Sequence, residues 1–340
     1  MKKDKYNVAV VGATGAVGEQ MREVLQERVF PVNELRLLAS ERSAGQSLKF
    51  QEKHVRVEVL REDSFKGIDV ALFSAGGAVS DKFAPLAVAS GSVVVDNTAR
   101  FRMEPDIPLV VPEVNAKEIG KYRSRGIIAN PNCSTIQMVV ALKPIHDAAR
   151  IRRVVVSSYQ SASGAGRMAM EELSQQTIAL FNGNDLRTEK FPYQIAFNCI
   201  PHIDVFLDGG YTKEELKMIQ ETRKILGEPT LRVTATAVRV PVFCGHSESV
   251  NVETEKKLTV QDVRAILGEA PGILLCDDPK NNVYPMAIDA VGNDAILVGR
   301  IREDDSVPNG INLWIVADNL RKGAALNAVQ IAEILIREYL

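Results

Sequence analysis

The chain has 340 residues, of which 46% are hydrophobic and 25% are charged, as in a folded protein of about two domains. This composition excludes a disordered chain and a fibre. Lys and Arg number 41 against 43 Asp and Glu, a formal net charge of −2, so no bulk positive charge is present to hold nucleic acid or an anionic membrane.

The first third of the chain alternates short apolar runs with helical patterns. Continuous runs rich in Leu or β-branched residues predict buried strands. A helix is predicted between the first and second strands and another between the third and fourth. The predicted strands are 7–11, 35–39, 70–73 and 93–95, and the predicted helices are 17–28 and 82–90. Strands and helices that alternate through short connections predict βαβ units and a parallel sheet.

The second half has longer strands that partly alternate apolar and polar residues. This pattern is typical of an antiparallel or mixed sheet with one covered face. The predicted strands are 153–159, 231–242, 248–253, 295–302 and 311–316, with helices at 213–226, 259–267 and 322–339. No Gly/Ser-rich linker separates the halves, so two domains that share a cleft fit better than two separate ones.

The chain shows no targeting or membrane signal. The apolar run 8–11 is too short for a signal peptide, and no run approaches 18 apolar residues. Four cysteines stand far apart without a C-x-x-C pair, which gives no sign of a metal site and indicates reduced thiols. We therefore expect a soluble, cytoplasmic protein.

A glycine-rich segment, residues 12–18, follows the first strand and opens a helix. Glycines let the backbone approach a pyrophosphate closely, and a helix N-terminus offers free N–H donors. The spacing is G-x-x-G-x-x-G rather than G-x-G-x-x-G, which leaves a purely structural turn as the alternative. The predicted cofactor-binding residues here are Gly12, Thr14, Gly15, Ala16, Val17 and Gly18.

The segment after the second strand bears on the choice between NAD and NADP. A carboxylate at this point binds the 2′-hydroxyl of NAD, whereas Arg accommodates the 2′-phosphate of NADP. Ser40, Arg42 and Ser43 favour NADP, while Glu41 leaves NAD or a solvent-exposed loop open.

Cys133 lies where a helix is predicted to begin. Pro131 restricts Asn130 to extended backbone, and Asn132 is a good N-cap, which places Cys133 in the first helical turn. A helix N-terminus lowers the pKa of a thiol and so favours the nucleophilic thiolate. The alternative is an inert core cysteine.

Several motifs together resemble the aspartate-β-semialdehyde dehydrogenase family, in its shorter bacterial branch. They are GATGAVG (12–18), NPNCSTIQ (130–137), SYQSASGAG (158–166), RVPVFCGHSES (239–249) and the last helix from residue 321. The resemblance implies an α/β Rossmann domain at 1–130, an α+β catalytic and dimerisation domain at 131–318, and a C-terminal helix at 319–340 that packs back on the first domain.

The resemblance also implies a reaction. NADPH reduces L-4-aspartyl phosphate to L-aspartate-4-semialdehyde and phosphate is released, in lysine, methionine and threonine biosynthesis. Cys133 forms a thioester and His246 is the general acid/base, with His202 as the rival histidine. A homodimer is implied, and no nucleic-acid or membrane partner is expected.

Arg239 interrupts an apolar strand, which is unfavourable unless the charge is paired. By the family match, Arg239 binds the α-carboxylate of the substrate. The alternative is that it forms an ion pair with a neighbouring strand. By the family match, Gln160 orients the acyl group of the substrate and Glu221 binds its ammonium group. The alternative for Glu221 is a solvent-exposed ion pair with Lys224. The remaining matches are Lys224 and Arg100 for phosphate and Ser163, Gly164 and Asn319 for the cofactor.

Three other interpretations differ in kind. N-acetyl-γ-glutamyl-phosphate reductase uses the same chemistry on a longer substrate, and a phosphorylating aldehyde dehydrogenase of the glyceraldehyde-phosphate kind has a different sequence around its cysteine. A non-catalytic paralogue is expected to have lost Cys133 or His246, and both are present. The segments around Cys133 and at 239–249 favour the aspartyl enzyme.

Overall fold

A seven-stranded sheet forms the first of two units in the computed structural model of the chain, which describes residues 3–340. The strand order is β3-β4-β2-β1-β5-β6-β7, and every pair is parallel except β3–β4. The strands are β1 (Tyr6–Val11), β2 (Val32–Ala39), β3 (Ser47–Phe50), β4 (Lys53–Val59), β5 (Val70–Phe73), β6 (Val93–Asp96) and β7 (Ile127–Ala129). The helices are α1 (Ala16–Glu27), α2 (Gly77–Ala89) and the short α3 (Pro112–Asn115).

The order of the strands fixes where a ligand meets this sheet. The chain runs outward from β1 to β2 on one side and from β5 to β6 on the other, so β1 and β5 flank the point where the order reverses. In open parallel sheets, ligands bind outside the carboxyl ends of the strands at that point. The glycine-rich loop follows β1 there. The predicted parallel sheet is confirmed, and all four residues of β5 and of β6 are buried.

The second unit is built on a mixed six-stranded sheet, as predicted. Its order is β11-β12-β13-β10-β8-β9, with β8–β9 and β11–β12 parallel and the other pairs antiparallel. The strands are β8 (Ile151–Gln160), β9 (Arg232–Arg239), β10 (His246–Thr254), β11 (Ile273–Leu275), β12 (Ile296–Asp304) and β13 (Gly310–Ala317). The helices are α4 (Cys133–Ala149), α5 (Arg167–Asn182), α6 (Lys213–Leu226), α7 (Val260–Gly268) and α8 (Ala287–Ala290).

The last helix, α9 (Leu326–Glu338), follows one π-helical turn at Arg321–Ala325. Its apolar side chains join the core of the first unit with those of β1 and α1. The first unit comprises the chain up to Asn132 together with Ala324–Leu340, and the second comprises Cys133–Gly323. Within residues 3–340, no helix has the length and apolarity needed to cross a membrane.

Candidate active site

The glycine-rich loop makes a tight turn between β1 and α1. The N–H of Gly12 donates to the Leu38 carbonyl at 2.8 Å, and that of Gly15 donates to the Gly12 carbonyl at 3.0 Å. Gly12 has φ +86°, and a Cβ at Gly18 would lie 2.2 Å from the Gly12 oxygen. Only glycine permits this backbone and this packing of α1 on the loop. A helix N-terminus next to such a loop offers backbone N–H donors, which suits a pyrophosphate.

The three residues predicted to favour NADP, Ser40, Arg42 and Ser43, directly follow β2. A single 3₁₀ turn, Glu41–Ser43, begins after Ser40, and the Ser43 N–H donates to the Ser40 carbonyl at 2.9 Å. Ser40, Glu41 and Arg42 are exposed. The loop and this turn therefore fit a dinucleotide, with hydroxyl and guanidinium groups where the ribose 2′ substituent would be recognised.

Arg100, a predicted phosphate ligand, belongs to the first unit. Its Nε lies 2.5 Å from Asp81 Oδ1 and its Nη1 lies 2.9 Å from Glu104 Oε1. These hydrogen bonds, that to Glu104 first, raise the pKa of the Arg100 guanidinium. Arg100 is therefore held between two carboxylates, and an anion would have to share or replace them.

Strand pairing alone brings several predicted residues together in the second unit. Gln160 is the last residue of β8 and pairs in register with Arg239, the last residue of β9. β10 runs antiparallel to β8 on the other side, so its first residue, His246, begins beside the end of β8. Three polar side chains thus stand at one edge of the sheet, and all three are buried.

Cys133 is the first residue of α4, as predicted, and is partly exposed. A Cβ at Gly323 would lie 2.9 Å from Cys133 Cβ, so glycine there makes room for the nucleophile. The Arg239 guanidinium is close enough to Cys133 for the two charges to interact. The helix N-terminus and this cation both favour a thiolate.

Arg239 is 6% exposed, and its Nη1 donates to the Ser161 carbonyl at 2.6 Å. Burial lowers the pKa of Arg239, while the negative charges of Glu214 and Cys133 oppose that change. Arginine keeps its proton even so. The side chain is thus a fixed positive charge that donates a hydrogen bond to a neutral carbonyl, which suits a ligand carboxylate.

His246 is fully buried and held through its Nδ1. The Ser161 backbone N–H donates to Nδ1 at 3.1 Å, and the Ser161 Oγ lies 3.0 Å from the same atom. Burial, and secondarily the charge of Arg239, hold the pKa of His246 well below its usual value. Its Nε2 has no hydrogen-bond partner within residues 3–340.

A buried amide supports this arrangement. The Asn319 Oδ1 accepts from the Gly245 N–H at 2.9 Å and from the hydroxyls of Ser161 and Ser163, each at 3.1 Å. Asn319 therefore fixes the loop before His246 and the segment that follows β8. The side chains of Ser163 and Asn319, predicted to contact the cofactor, are used for this internal network.

The second unit matches the family model "Semialdehyde dehydrogenase, dimerisation domain" over residues 142–322, and the first matches "Semialdehyde dehydrogenase, NAD binding domain" over residues 7–122. The aspartate-semialdehyde dehydrogenase of Aquifex aeolicus is 57% identical over 335 residues, which cover 98% of each chain. The chain belongs to the aspartate-semialdehyde dehydrogenase family. The family resemblance, the fold class and the assignment as an oxidoreductase are thereby confirmed.

Solved structures of this family agree. A crystal structure of aspartate semialdehyde dehydrogenase II from Vibrio cholerae, complexed with ASA, matches with a TM-score of 0.97 at 56% identity, covering 99% of this chain and 100% of that one. The enzyme from Candida albicans, solved with NADP, matches with a TM-score of 0.74 at 27% identity, covering 97% and 98%.

The predicted residues Glu221 and Lys224 lie on α6, but a different residue of that helix meets Gln160. The carboxylate that meets Gln160 belongs to Glu214, whose Oε1 lies 3.2 Å from Gln160 Nε2. Lys217 Nζ lies 3.0 Å from Glu214 Oε2. Glu221 and Lys224 have the same spacing but lie seven residues further along α6, about 10 Å at 1.5 Å per residue. Glu214 and Lys217 are thus the acidic and basic residues of α6 that contact Gln160 directly or through one another.

The start of α6 explains this placement. Thr212 caps the helix, and Glu215 completes a capping box with it. The Glu215 Oε1 also accepts from the Ala237 N–H of β9 at 2.9 Å. The first turn of α6, which carries Glu214, is therefore tied to the strand that carries Arg239.

The rival histidine has a packing role. The His202 ring stacks on Phe206 with centroids 4.4 Å apart, and its residue is partly exposed. His246, Arg239 and Gly164, by contrast, form one group at the end of the sheet. A Cβ at Gly164 would lie 3.0 Å from Arg239 Nη1 and 3.1 Å from His246 Nε2.

Proposed function

We propose that the chain catalyses the NADPH-dependent reductive dephosphorylation of L-4-aspartyl phosphate to L-aspartate-4-semialdehyde and phosphate, through a thioester on Cys133. The observation that carries this proposal is the placement of Cys133 at the first residue of α4, with the charge of Arg239 acting on it and His246 buried beside Arg239. A nucleophile with a fixed cation and a ring N–H nearby suits acyl transfer.

The substrate has three charged groups, and the site offers a partner for each. Arg239 suits the α-carboxylate because guanidinium binds carboxylates bidentately. Glu214, buried beside Gln160, suits the ammonium group. Gln160 is left to orient the acyl group through its amide.

Lys217 and Arg100 are the proposed phosphate ligands. Burial lowers the pKa of Lys217, but the charges of Glu214 and Asp204 outweigh burial and raise it overall. Lys217 therefore remains a cation at neutral pH. Arg100 belongs to the first unit, and its role in binding phosphate is proposed from the family resemblance.

NADP is the proposed cofactor, which supplies the hydride when it is bound. Gly12, Thr14, Gly15, Ala16, Val17 and Gly18 would hold the pyrophosphate, and Ser40, Arg42 and Ser43 the 2′-phosphate. The NADP complex of the Candida albicans enzyme supports this choice. Ser163, Gly164 and Asn319 would complete the cofactor site, in which Ser163 and Gly164 contribute backbone.

We also propose that the protein is a cytoplasmic homodimer. The match to a dimerisation domain supports the dimer, and the second unit has an open groove of about 530 Å³. Tyr159, Trp314, Tyr284 and Met286 line it. Light scattering on the purified protein tests the dimer, and a mass of one chain would contradict it.

The activity is tested in the reverse direction. Purified protein, phosphate, NADP⁺ and aspartate semialdehyde should produce the absorbance of reduced nicotinamide. N-acetyl-glutamate semialdehyde in place of aspartate semialdehyde is the decisive comparison, because that substrate has no free ammonium group for Glu214. A preference for it would refute the aspartyl assignment, and NAD⁺ in place of NADP⁺ tests the cofactor.

A further inference from the structure

We propose that Glu248 is a positioning residue: as a neutral carboxylic acid it pairs with the Gln137 amide, and this pair holds the Cys133 turn of α4 against the first residue of β10. The inference rests on the proposed function, in which Cys133 is the nucleophile and His246 the general acid/base. It adds to that reaction a residue that touches neither substrate nor cofactor.

Glu248 lies in a buried layer beneath the site residues. It follows His246 by two residues on β10, so the two side chains leave the same face of the sheet. Ser158 of β8 stands directly opposite Glu248 on one side, and Ile315 of β13 stands opposite it on the other. All four residues are fully buried. The Glu248 carboxyl is therefore out of contact with bulk water.

Three buried side-chain atoms at this place lack a hydrogen-bond partner within residues 3–340. They are both carboxyl oxygens of Glu248 and the amide oxygen of Gln137. Buried polar groups are almost always paired, so each exception needs an explanation. The Gln137 amide is close enough to the Glu248 carboxyl to change its pKa through a hydrogen bond. The three atoms therefore belong to one group.

One proton on Glu248 would satisfy all three atoms. A neutral carboxyl has an O–H donor and a carbonyl acceptor, and an amide has an acceptor and two N–H donors. The acid O–H then donates to Gln137 Oε1, while Gln137 Nε2 donates to the other carboxyl oxygen, which closes a ring of two hydrogen bonds. An ionised carboxylate only accepts, so it would leave Gln137 Oε1 without a donor.

The surroundings keep that proton on Glu248. Burial raises the pKa of Glu248 well above its usual value, and the hydrogen bond from Gln137 is the opposing effect. Arg239 affects the pKa of His246 but not that of Glu248, and burial holds His246 neutral. The residues opposite Glu248 on β8 and β13 are uncharged. On α4, a Cys133 thiolate would further disfavour a second negative charge.

Gln137 connects the pair to both functional residues. It is one helical turn after Cys133 on α4, so the two side chains share one face of the helix. Its Nε2 also donates to the His246 carbonyl at 3.4 Å. Because Nε2 has two protons, the pair with Glu248 uses one and orients the other towards this carbonyl. The pair thus fixes the first turns of α4 against the start of β10, where a displacement of about 1 Å can cost about 100-fold in rate.

The first test is infrared spectroscopy of the full chain without substrate at pH ~8, where ordinary carboxyls are ionised. A protonated carboxyl absorbs as a C=O group, apart from the bands of a carboxylate. We expect the difference spectrum between the unaltered chain and Glu248→Gln to contain this C=O band. Carboxylate bands in its place would overturn the proposal. Gln137→Met should shift the C=O band, because the acid loses its acceptor, and an unshifted band would refute the pair.

The second test compares two replacements of Glu248. Glutamine keeps a donor and an acceptor for the Gln137 amide, whereas leucine occupies a similar volume and offers neither. We expect Glu248→Leu to lose about 10- to 100-fold in kcat and Glu248→Gln at most about threefold. The KM for aspartate semialdehyde should change little, because Arg239 and Glu214 keep their contacts. Full kcat in Glu248→Leu, or an equal loss in two variants that melt alike, would overturn the positioning role.

An exchange of the two side chains separates the pair from its effect on the site. The double variant Gln137→Glu with Glu248→Gln restores an acid–amide pair, but the acid on α4 has no N–H left for the His246 carbonyl. We expect it to melt above Gln137→Met and to keep the reduced kcat of that variant. Full kcat in the exchanged protein would refute positioning through this carbonyl. Because the infrared band and the melting temperatures are measured without substrate, failure of the aspartyl activity and failure of this inference are distinguishable.

Discussion

Gly164→Ala should damage the site while leaving the fold intact. Gly164 has no positive φ, so alanine fits its backbone, and the residue is exposed. The added methyl, however, would stand 3.0 Å from Arg239 Nη1 and 3.1 Å from both His246 Cε1 and His246 Nε2. Neither neighbour is free to move away, because Ser161 binds Arg239 through its carbonyl and His246 through its N–H.

The expected magnitude follows from the overlap. Ordinary contacts begin near 3.4 Å, so each group must shift by a few tenths of an ångström. Overpacking of this kind costs about 1–3 kcal/mol. If the cost falls on the geometry of the site, kcat/KM for aspartate semialdehyde decreases by about 5-fold to about 150-fold, at 1.36 kcal/mol per factor of ten.

The assay is steady-state kinetics of the reverse reaction together with the melting temperature and the affinity for NADP⁺. Gly268→Ala is the matched control, because it adds the same methyl at the end of α7, where no atom lies within 4 Å. A Gly164→Ala protein with unchanged kcat/KM would refute the placement of Arg239 and His246 around this glycine. If only the affinity for NADP⁺ decreased, the added methyl would disturb the cofactor site and not Arg239 and His246.

Four further predictions concern single side chains. Cys133→Ala should end turnover and keep NADP⁺ binding, measured by nicotinamide fluorescence; residual turnover would exclude it as nucleophile. Glu214→Gln should raise the KM for aspartate semialdehyde more than Glu221→Gln does, and the opposite order would restore the pair predicted from sequence. Arg42→Ala should narrow the preference for NADP⁺ over NAD⁺ in kcat/KM, whereas an unchanged ratio would place phosphate recognition elsewhere. Glu248→Gln should raise the melting temperature by an amount that grows as pH rises above about 4.5, because the raised pKa of Glu248 makes folding less favourable once the unfolded carboxyl ionises; no difference at pH ~8 would contradict it.

The sequence predicted several elements that bury continuous apolar runs and missed others that are exposed, although the short buried strand β7 was missed as well. The strands β5 and β6 are fully buried and were predicted almost to the residue. The hairpin β3–β4 was missed, because it is largely exposed and has few apolar positions. Helix α5 was missed for the same reason, since four of its sixteen residues are buried and its apolar pattern is weak.

Site residues could be predicted where the features that define them are contiguous in sequence. They could not be predicted where they depend on how one element packs against another. Cys133 is recognisable because its cap and its helix are contiguous in sequence. The choice between Glu214 and Glu221 is different. Each glutamate is followed three residues later by a lysine. The two pairs are seven residues apart and so lie on the same face of the helix. Which turn meets Gln160 depends on where α6 docks on β9, and the capping residue Glu215 accepts a hydrogen bond from β9 at the first turn.

The strongest constraint on the site is the register of three strands. Gln160 and Arg239 end two parallel strands that pair residue for residue, and His246 opens the strand on the other side of β8. A slip of one residue in β9 would turn Arg239 to the opposite face of the sheet. It would also separate the guanidinium from the Ser161 carbonyl, the contact that holds it at 2.6 Å. Because Ser161 also holds His246, one residue just past the end of β8 sets the position of both the cation and the ring. The apolar residues that fix the register of β8 and β9, although far from the chemistry, therefore determine the geometry of the donors.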